Sequence, residues 1–232
     1  MATEGNFKHP DTGVRLGHSG FDNGWVNKYL PEVDITCILD IGSFDGGDSI
    51  RFNQWYPEAK VYSIEAAPIN FEVLTRNLVN RESVELFNLA FSNTNGKLVL
   101  NQLVNSSLES YGMVMGSLYE NIQSKISQHG MSFIETVEVQ SITFDSFCEK
   151  NNITNVDVAH VDIEGASYAM VCGMNKVLPK LIYTEQQGPQ WYVGDHATNE
   201  DLHELLDSKG YTLVETFPND FLYVHKDYLN AT

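Results

Sequence analysis

Residues 38–49, Ile-Leu-Asp-Ile-Gly-Ser-Phe-Asp-Gly-Gly-Asp-Ser, constrain the fold more than any other stretch of this chain. An apolar run ends in an acid, passes through a glycine-rich turn and enters a helix start, which describes a strand–loop–helix unit. Gly42, Gly46 and Gly47 remove side chains at the turn and allow positive φ, so the backbone there comes close to something. Phe44 stands where a dinucleotide fingerprint needs its second glycine. Asp45 and Asp48 crowd a helix N-terminus that a pyrophosphate requires empty and positive. A nucleoside without phosphates that carries a cation fits this turn better; a tight turn that binds nothing is the alternative.

From about residue 35 apolar strands alternate with helical patterns, which predicts an α/β fold, doubly wound around a mostly parallel sheet. The pattern places strands at 36–41, 61–65, 84–89, 97–103, 136–141, 156–163, 181–183, 211–215 and 221–225. Helices are expected at about 48–55, from Pro68 with Phe71, Leu74 and Leu78 on one face, and at 144–150, 165–175 and 199–208. Residues 104–135 read poorly, although Leu118, Ile122 and Ile126 at spacing four suit a helix. No repeat or linker divides the chain, so residues 1–232 are expected to form a single domain. Residues 1–32, with Trp25 and Tyr29, are expected to cap one face, and 104–135 to be an insertion facing the acceptor.

Charge narrows the partners. Fourteen basic residues against 31 acidic ones give a formal −17. A phosphate backbone is bound mainly through Lys and Arg, so nucleic acid is a poor partner, and an anionic membrane surface is disfavoured for the same reason. A neutral or cationic small substrate is easier, and a merely solubilising surface accounts for the charge equally well. No apolar run reaches the roughly 18 residues of a membrane span. The start of the chain lacks the layout of a signal peptide, and Cys37, Cys148 and Cys172 lie scattered in strands or helices as reduced, buried thiols. A cytoplasmic location is the expectation.

Three further sites carry chemistry. Glu65 ends the second strand 25 residues after Asp40. A carboxylate there has the paired oxygens that a ribose diol requires, or it favours the next helix N-terminus. Together with the glycine turn it points to S-adenosylmethionine as cofactor, held at Gly42, Gly46 and Glu65, with Asp45 and Ala66 beside them. The turn at Asn88-Leu89-Ala90-Phe91 closes the third strand and is expected to flank the adenine through Asn88 and Ala90. In His160-Val161-Asp162-Ile163-Glu164-Gly165, a persisting strand would put His160, Asp162 and Glu164 on one side. Asp162 or Glu164 can take a proton from a substrate hydroxyl, and Asp162 can hold the cationic side of the cofactor. His160 is either a base or a satisfied core histidine. The spacing matches no metal-ligand motif, His129, His196 and His203 included, and no metal is expected. Residues 186–192, rich in amides and aromatics, suit a substrate lid or an ordinary packed loop.

These blocks together resemble the FkbM family of S-adenosylmethionine-dependent methyltransferases. The resemblance runs from about Ile38 to His225. It is carried by Leu39-Asp40-Ile41-Gly42-Ser43-Phe44-Asp45-Gly46, by Glu65-Ala66-Ala67-Pro68, and by Asn88-Leu89-Ala90-Phe91-Ser92 with Gly96. Phe144-Asp145-Ser146-Phe147 and Val161-Asp162-Ile163-Glu164-Gly165-Ala166 complete it. It implies a seven-stranded, Rossmann-like methyltransferase sheet and methyl transfer, usually to a hydroxyl oxygen of a sugar or natural product, with Asp40, Gly42, Ser43, Gly46 and Glu65 lining the cofactor. Phe44, His160 and Ser167 depart from the family's usual polar residue, lysine and glutamate. An N-methyl or aminopropyl transferase for a cationic amine, and a non-catalytic binding protein, are the alternative readings.

Overall fold

The computed structural model describes residues 7–104, 113–120, 127, 130–186 and 193–229. The first strand, β1 (Cys37–Ile41), is buried along its whole length, as a central parallel strand that is apolar except for Asp40. Neighbouring it are β2 (Lys60–Glu65) and β8 (Val158–Val161), both parallel to it. The sheet runs outward through β3 (Val84–Asn88) on one side. On the other it runs through β9 (Leu181–Glu185), β11 (Asp220–His225) and β10 (Tyr211–Thr216). Seven strands in the order β10-β11-β9-β8-β1-β2-β3, with β11 antiparallel to both its neighbours, form the seven-stranded, Rossmann-like sheet that the resemblance implies.

Side chains that alternate along β1 feed two cores, one on each face. Ile38 packs with Leu16, Phe21 and Val26 of the N-terminal segment, the latter on α1 (Asn23–Tyr29). The same core takes Ile50 and Phe52 of α2 (Gly47–Trp55) and Leu74 and Leu78 of α3 (Pro68–Leu78). Pro68 opens α3 at a position where its missing N–H costs nothing. Leu39 and Ile41 face the opposite core. Its helices are α4 (Phe144–Lys150), α5 (Ser167–Cys172) and α6 (Asn199–Ser208), and a short α7 (Lys226–Leu229) ends the described chain. The three cysteines are free; Cys37 and Cys148 are buried, but Cys172 is half-buried, contrary to expectation.

A second sheet, of four strands, differs from the expected single sheet. The long strands β5 (Gly96–Val104) and β7 (Ser132–Ile142) pair antiparallel. The short strand β6 (Met115–Ser117) adds to β5, and β4 (Ala90–Phe91) joins β7 in parallel. Both long strands outrun their expected limits. Of the helix expected through Leu118, Ile122 and Ile126, the last two residues lie outside the described residues. Residues 187–192 of the expected lid do so too, as does His129.

Candidate functional site

The carboxyl ends of β1, β2, β8 and β9 converge on one edge of the sheet, where open α/β folds bind ligands. At the exit of β1 the chain turns through Gly42 at φ +88°, Phe44 at +51° and Gly46 at +90° before entering α2. The glycines answer first to the protein itself. A Cβ on Gly42 would stand 1.8 Å from the Asp162 carbonyl, and one on Gly47 would stand 1.7 Å from that of Gly17. The close approach read from the sequence is therefore met in part by the chain's own backbone.

Glu65 ends β2 with both oxygens engaged. Its Oε2 accepts the Phe44 N–H at 2.9 Å and its Oε1 the Ala67 N–H at 2.8 Å. The glycine turn is thus hung on the second strand by a charge-assisted bond. Burial pushes the Glu65 carboxyl up to about 7, against those two donors, which pull it down. Asn88 donates to the carbonyls of Glu65 and Ala66, and so braces the corner where the diol ligand was expected. Ala90 is buried in β4 against Ala67 and Leu100.

Asp40 and Ser43 lie beneath the turn. Asp40 is fully buried; its oxygens take the Ser49 hydroxyl at 2.5 Å and the His160 Nδ1 at 2.8 Å. Ser43 donates to the Asp40 carbonyl at 2.7 Å and accepts the Ile64 N–H at 3.0 Å. Asp45 accepts the N–H groups of Gly17 and Gly47 at 2.8 and 3.0 Å, and burial pushes its carboxyl up to about 6. Asp48 holds Arg51 at 2.6 Å and the Ser19 N–H at 2.6 Å. The acids that argue against a phosphate are thus engaged with the N-terminal segment.

Strand β8 ends at Val161, so the expected shared face through Glu164 does not form. The chain turns instead, with Glu164 at φ +52° and Gly165 at +90°. His160 stays behind in the core, 2% exposed, with both ring nitrogens engaged, on Asp40 and on Ser19 Oγ at 2.8 Å each. Asp162 and Glu164 lie at the edge itself. Burial, followed by the charge of Asp162, pushes Glu164 up to about 7, and burial raises Asp162 as well.

Glu185, at the end of β9, escaped the sequence reading. Its Oε1 accepts the Gly165 N–H at 2.8 Å and so anchors the Glu164 turn from the neighbouring strand. Burial and the charges of Asp162 and Glu164 hold its carboxyl well above the usual range. Its signal was present: Leu-Ile-Tyr-Thr-Glu closes with an acid at the same edge as Glu65 and Asp162. The second sheet supplies one wall. Asn70 exchanges two hydrogen bonds with the backbone of Val114, and the Ser117 hydroxyl donates to the Glu164 carbonyl at 3.0 Å.

This edge therefore carries Glu65, Asp162, Glu164 and Glu185 at the ends of three strands, β2, β8 and β9, with carboxyl groups raised chiefly by burial. Such a surface suits a ligand that is cationic and lacks phosphates. The Methyltransferase FkbM domain matches residues 40–213. The chain belongs to the FkbM methyltransferase family. A relative in Sinorhizobium fredii (strain NBRC 101917 / NGR234), the 2-O-methyltransferase NoeI, is 27% identical over 191 residues, covering 82% of this chain and 77% of the relative. Among solved structures, a precorrin-6y C5,15-methyltransferase from Geobacter metallireducens GS-15 is similar at 11% identity, with a TM-score of 0.47 over 87% of this chain and 85% of that one. A SAM-dependent methyltransferase from Aquifex aeolicus is similar at 13% identity, with a TM-score of 0.43 over 88% and 89%. The FkbM protein described here is a SAM-dependent methyltransferase. Among its described residues no helix is long and apolar enough to cross a membrane, and no group of three His, Cys, Asp or Glu side chains is arranged to hold a metal.

Proposed function

We propose that this FkbM enzyme methylates a hydroxyl oxygen of a small, hydroxylated acceptor of carbohydrate type. The observation that carries the reading is the edge formed by Glu65, Asp162, Glu164 and Glu185, where buried carboxyl groups gather at the strand ends. S-adenosylmethionine, when bound, supplies a methyl group on a positively charged sulfur. In this reading the Gly42–Gly46 backbone and Glu65 hold its adenosine, Asp162 faces its cationic end, and Asp40, Ser43 and Asp45 shape the turn from beneath. Ala66, Asn88 and Ala90 form the rim beside the base. The similarity to a 2-O-methyltransferase supports oxygen as the accepting atom.

Transfer to a hydroxyl is an in-line displacement, so alignment and exclusion of water supply much of the rate. The acceptor must also lose a proton. Glu164, raised to about 7, is better suited than Asp162, because a base works best when its pKa lies near the working pH. Asp162 is the second candidate. We assign residues 104–135 to the acceptor side, because Val114 and Ser117 attach to Asn70 and Glu164.

The same carboxylates favour a second reading, methyl or aminopropyl transfer to a cationic amine. Methyl-labelled S-adenosylmethionine, incubated with the enzyme and either glycosides or polyamines, separates the two. Labelled glycoside is the expected product; labelled polyamine alone overturns the oxygen reading, and no product with any acceptor favours a non-catalytic binding protein.

A further inference from the structure

Ser63, Asp40, His160 and Tyr183 stand in register on β2, β1, β8 and β9, on the face that packs α1 and α2. A polar row through an apolar core needs partners for every atom. His160 meets Asp40 Oδ1 and Ser19 Oγ at 2.8 Å each, with Asp48 Oδ2 at 3.9 Å. Tyr183 lies parallel to the imidazole with ring centroids 5.6 Å apart, and Phe21 and Phe52 close other sides. Ser19 is gripped from α2 as well: Asp48 accepts its N–H, and Arg51 donates to the carbonyls of Ser19 and Phe21 at 3.2 and 2.6 Å. The segment held this way rests on the glycine turn. Gly17 donates to Asp45, and its carbonyl occupies the space a Cβ on Gly47 would need.

We propose that His160 is a positioning residue: as an imidazolium between Asp40 and Asp48 it clamps residues 17–21 at Ser19, and the clamp sets the shape of the turn at residues 42–47. The inference rests on the assignment of that turn to the adenosyl compound. The ring faces Asp40 from β1, Asp48 (itself paired with Arg51) from α2, Asp162 beyond its own strand and Tyr183 from β9, and feels the charge of Asp220 on β11. Burial works against the charge, but Asp48 and the Asp40 hydrogen bond outweigh it and raise the imidazole to about 9. Since this lies above the ordinary histidine value, the clamp is complete below about 6.5 and is lost as pH rises through about 9.

Two measurements on the full chain test it. In NMR, the His160 ring signals, assigned by their loss in His160→Gln, are expected to titrate near 9 and to shift downward in Asp48→Asn. A ring that titrates at or below the ordinary histidine value overturns the proposal, whether or not any nucleoside binds. Calorimetry with S-adenosylhomocysteine at pH 7.5 is expected to show roughly tenfold or more weaker binding for His160→Gln. Recovery is expected in His160→Lys, which restores a cation. Wild type is expected to weaken between pH 8 and 10 while His160→Gln stays flat. Ser19→Ala, which keeps the core intact, is expected to weaken binding about threefold to tenfold. Wild-type affinity in Ser19→Ala or in a folded His160→Gln overturns the clamp. Wild type that binds no S-adenosylhomocysteine at all removes the assignment of the turn, and the NMR titration still decides the cation.

Discussion

Asp162 presses its backbone carbonyl against Gly42 so closely that a Cβ there would stand 1.8 Å from the oxygen. The exits of β1 and β8 are therefore packed backbone to backbone, and the turn that carries Gly42 cannot be moved without moving Asp162.

Gly42→Ala is accordingly expected to be severe. It meets both this overlap and the strain of φ +88°, and should cost about 3 kcal/mol or more. Urea denaturation checks this; a loss under 1 kcal/mol would mean that the two strand ends move apart freely.

Glu65→Ala removes the acceptor of two buried N–H groups, those of Phe44 and Ala67. Binding of S-adenosylhomocysteine is expected to weaken at least tenfold, about 1.5–3 kcal/mol for a bond to a charged group. Calorimetry measures it, and unchanged affinity would dissociate Glu65 from the nucleoside.

Glu164→Gln is expected to lower turnover by roughly 10²–10⁴-fold with little effect on nucleoside affinity, as removal of a general base does. The wild-type rate should rise with pH through about 7, where Glu164 ionises. A variant as fast as the parent would pass the role to Asp162.

Stability should move the opposite way. Glu65 and Glu164 are raised from 4.5 to about 7 in the folded chain, so the folded state binds more protons than the unfolded state between those values. Their contribution is complete below about 4.5 and is lost as pH rises through about 7. Melting temperatures of the ligand-free enzyme are expected to fall between pH 5 and 7, and less so in the double variant Glu65→Gln, Glu164→Gln.

Asp157 offers the control. It lies at the amino end of β8, where its Oδ2 accepts the N–H groups of Thr36 and Cys37 and its Oδ1 pairs with Lys180 at 2.6 Å. Asp157→Ala leaves Lys180 without its partner and two N–H groups unmet, which should cost about 3–5 kcal/mol. Nucleoside affinity of the folded fraction should be unchanged, because the proposed nucleoside site lies at the sheet's opposite edge.

Legibility followed the range of the interactions. The β1–turn–α2 unit and the outer strands were readable because periodicity is local. The shared face through Glu164 fails because β8 stops at Val161, two residues short of the apolar pattern, and Glu164 itself turns at φ +52°. The second sheet was hidden because its registers join residues such as Gly96 and Ser141, and β4 is only two residues long. The partners of His160 were out of reach altogether: Ser19 lies 141 positions away in sequence.

Ala90 and Phe91 leave the exit of β3 and pair at once with Ser141 and Ile142, which lead back into α4. The whole four-stranded excursion thus departs from and returns to adjacent points of the scaffold. A segment spliced in this manner can be exchanged, lengthened or redecorated as a cassette while the acidic ends of β2, β8 and β9 keep their places. If that segment faces the acceptor as proposed, selectivity is free to diversify apart from the methyl transfer itself.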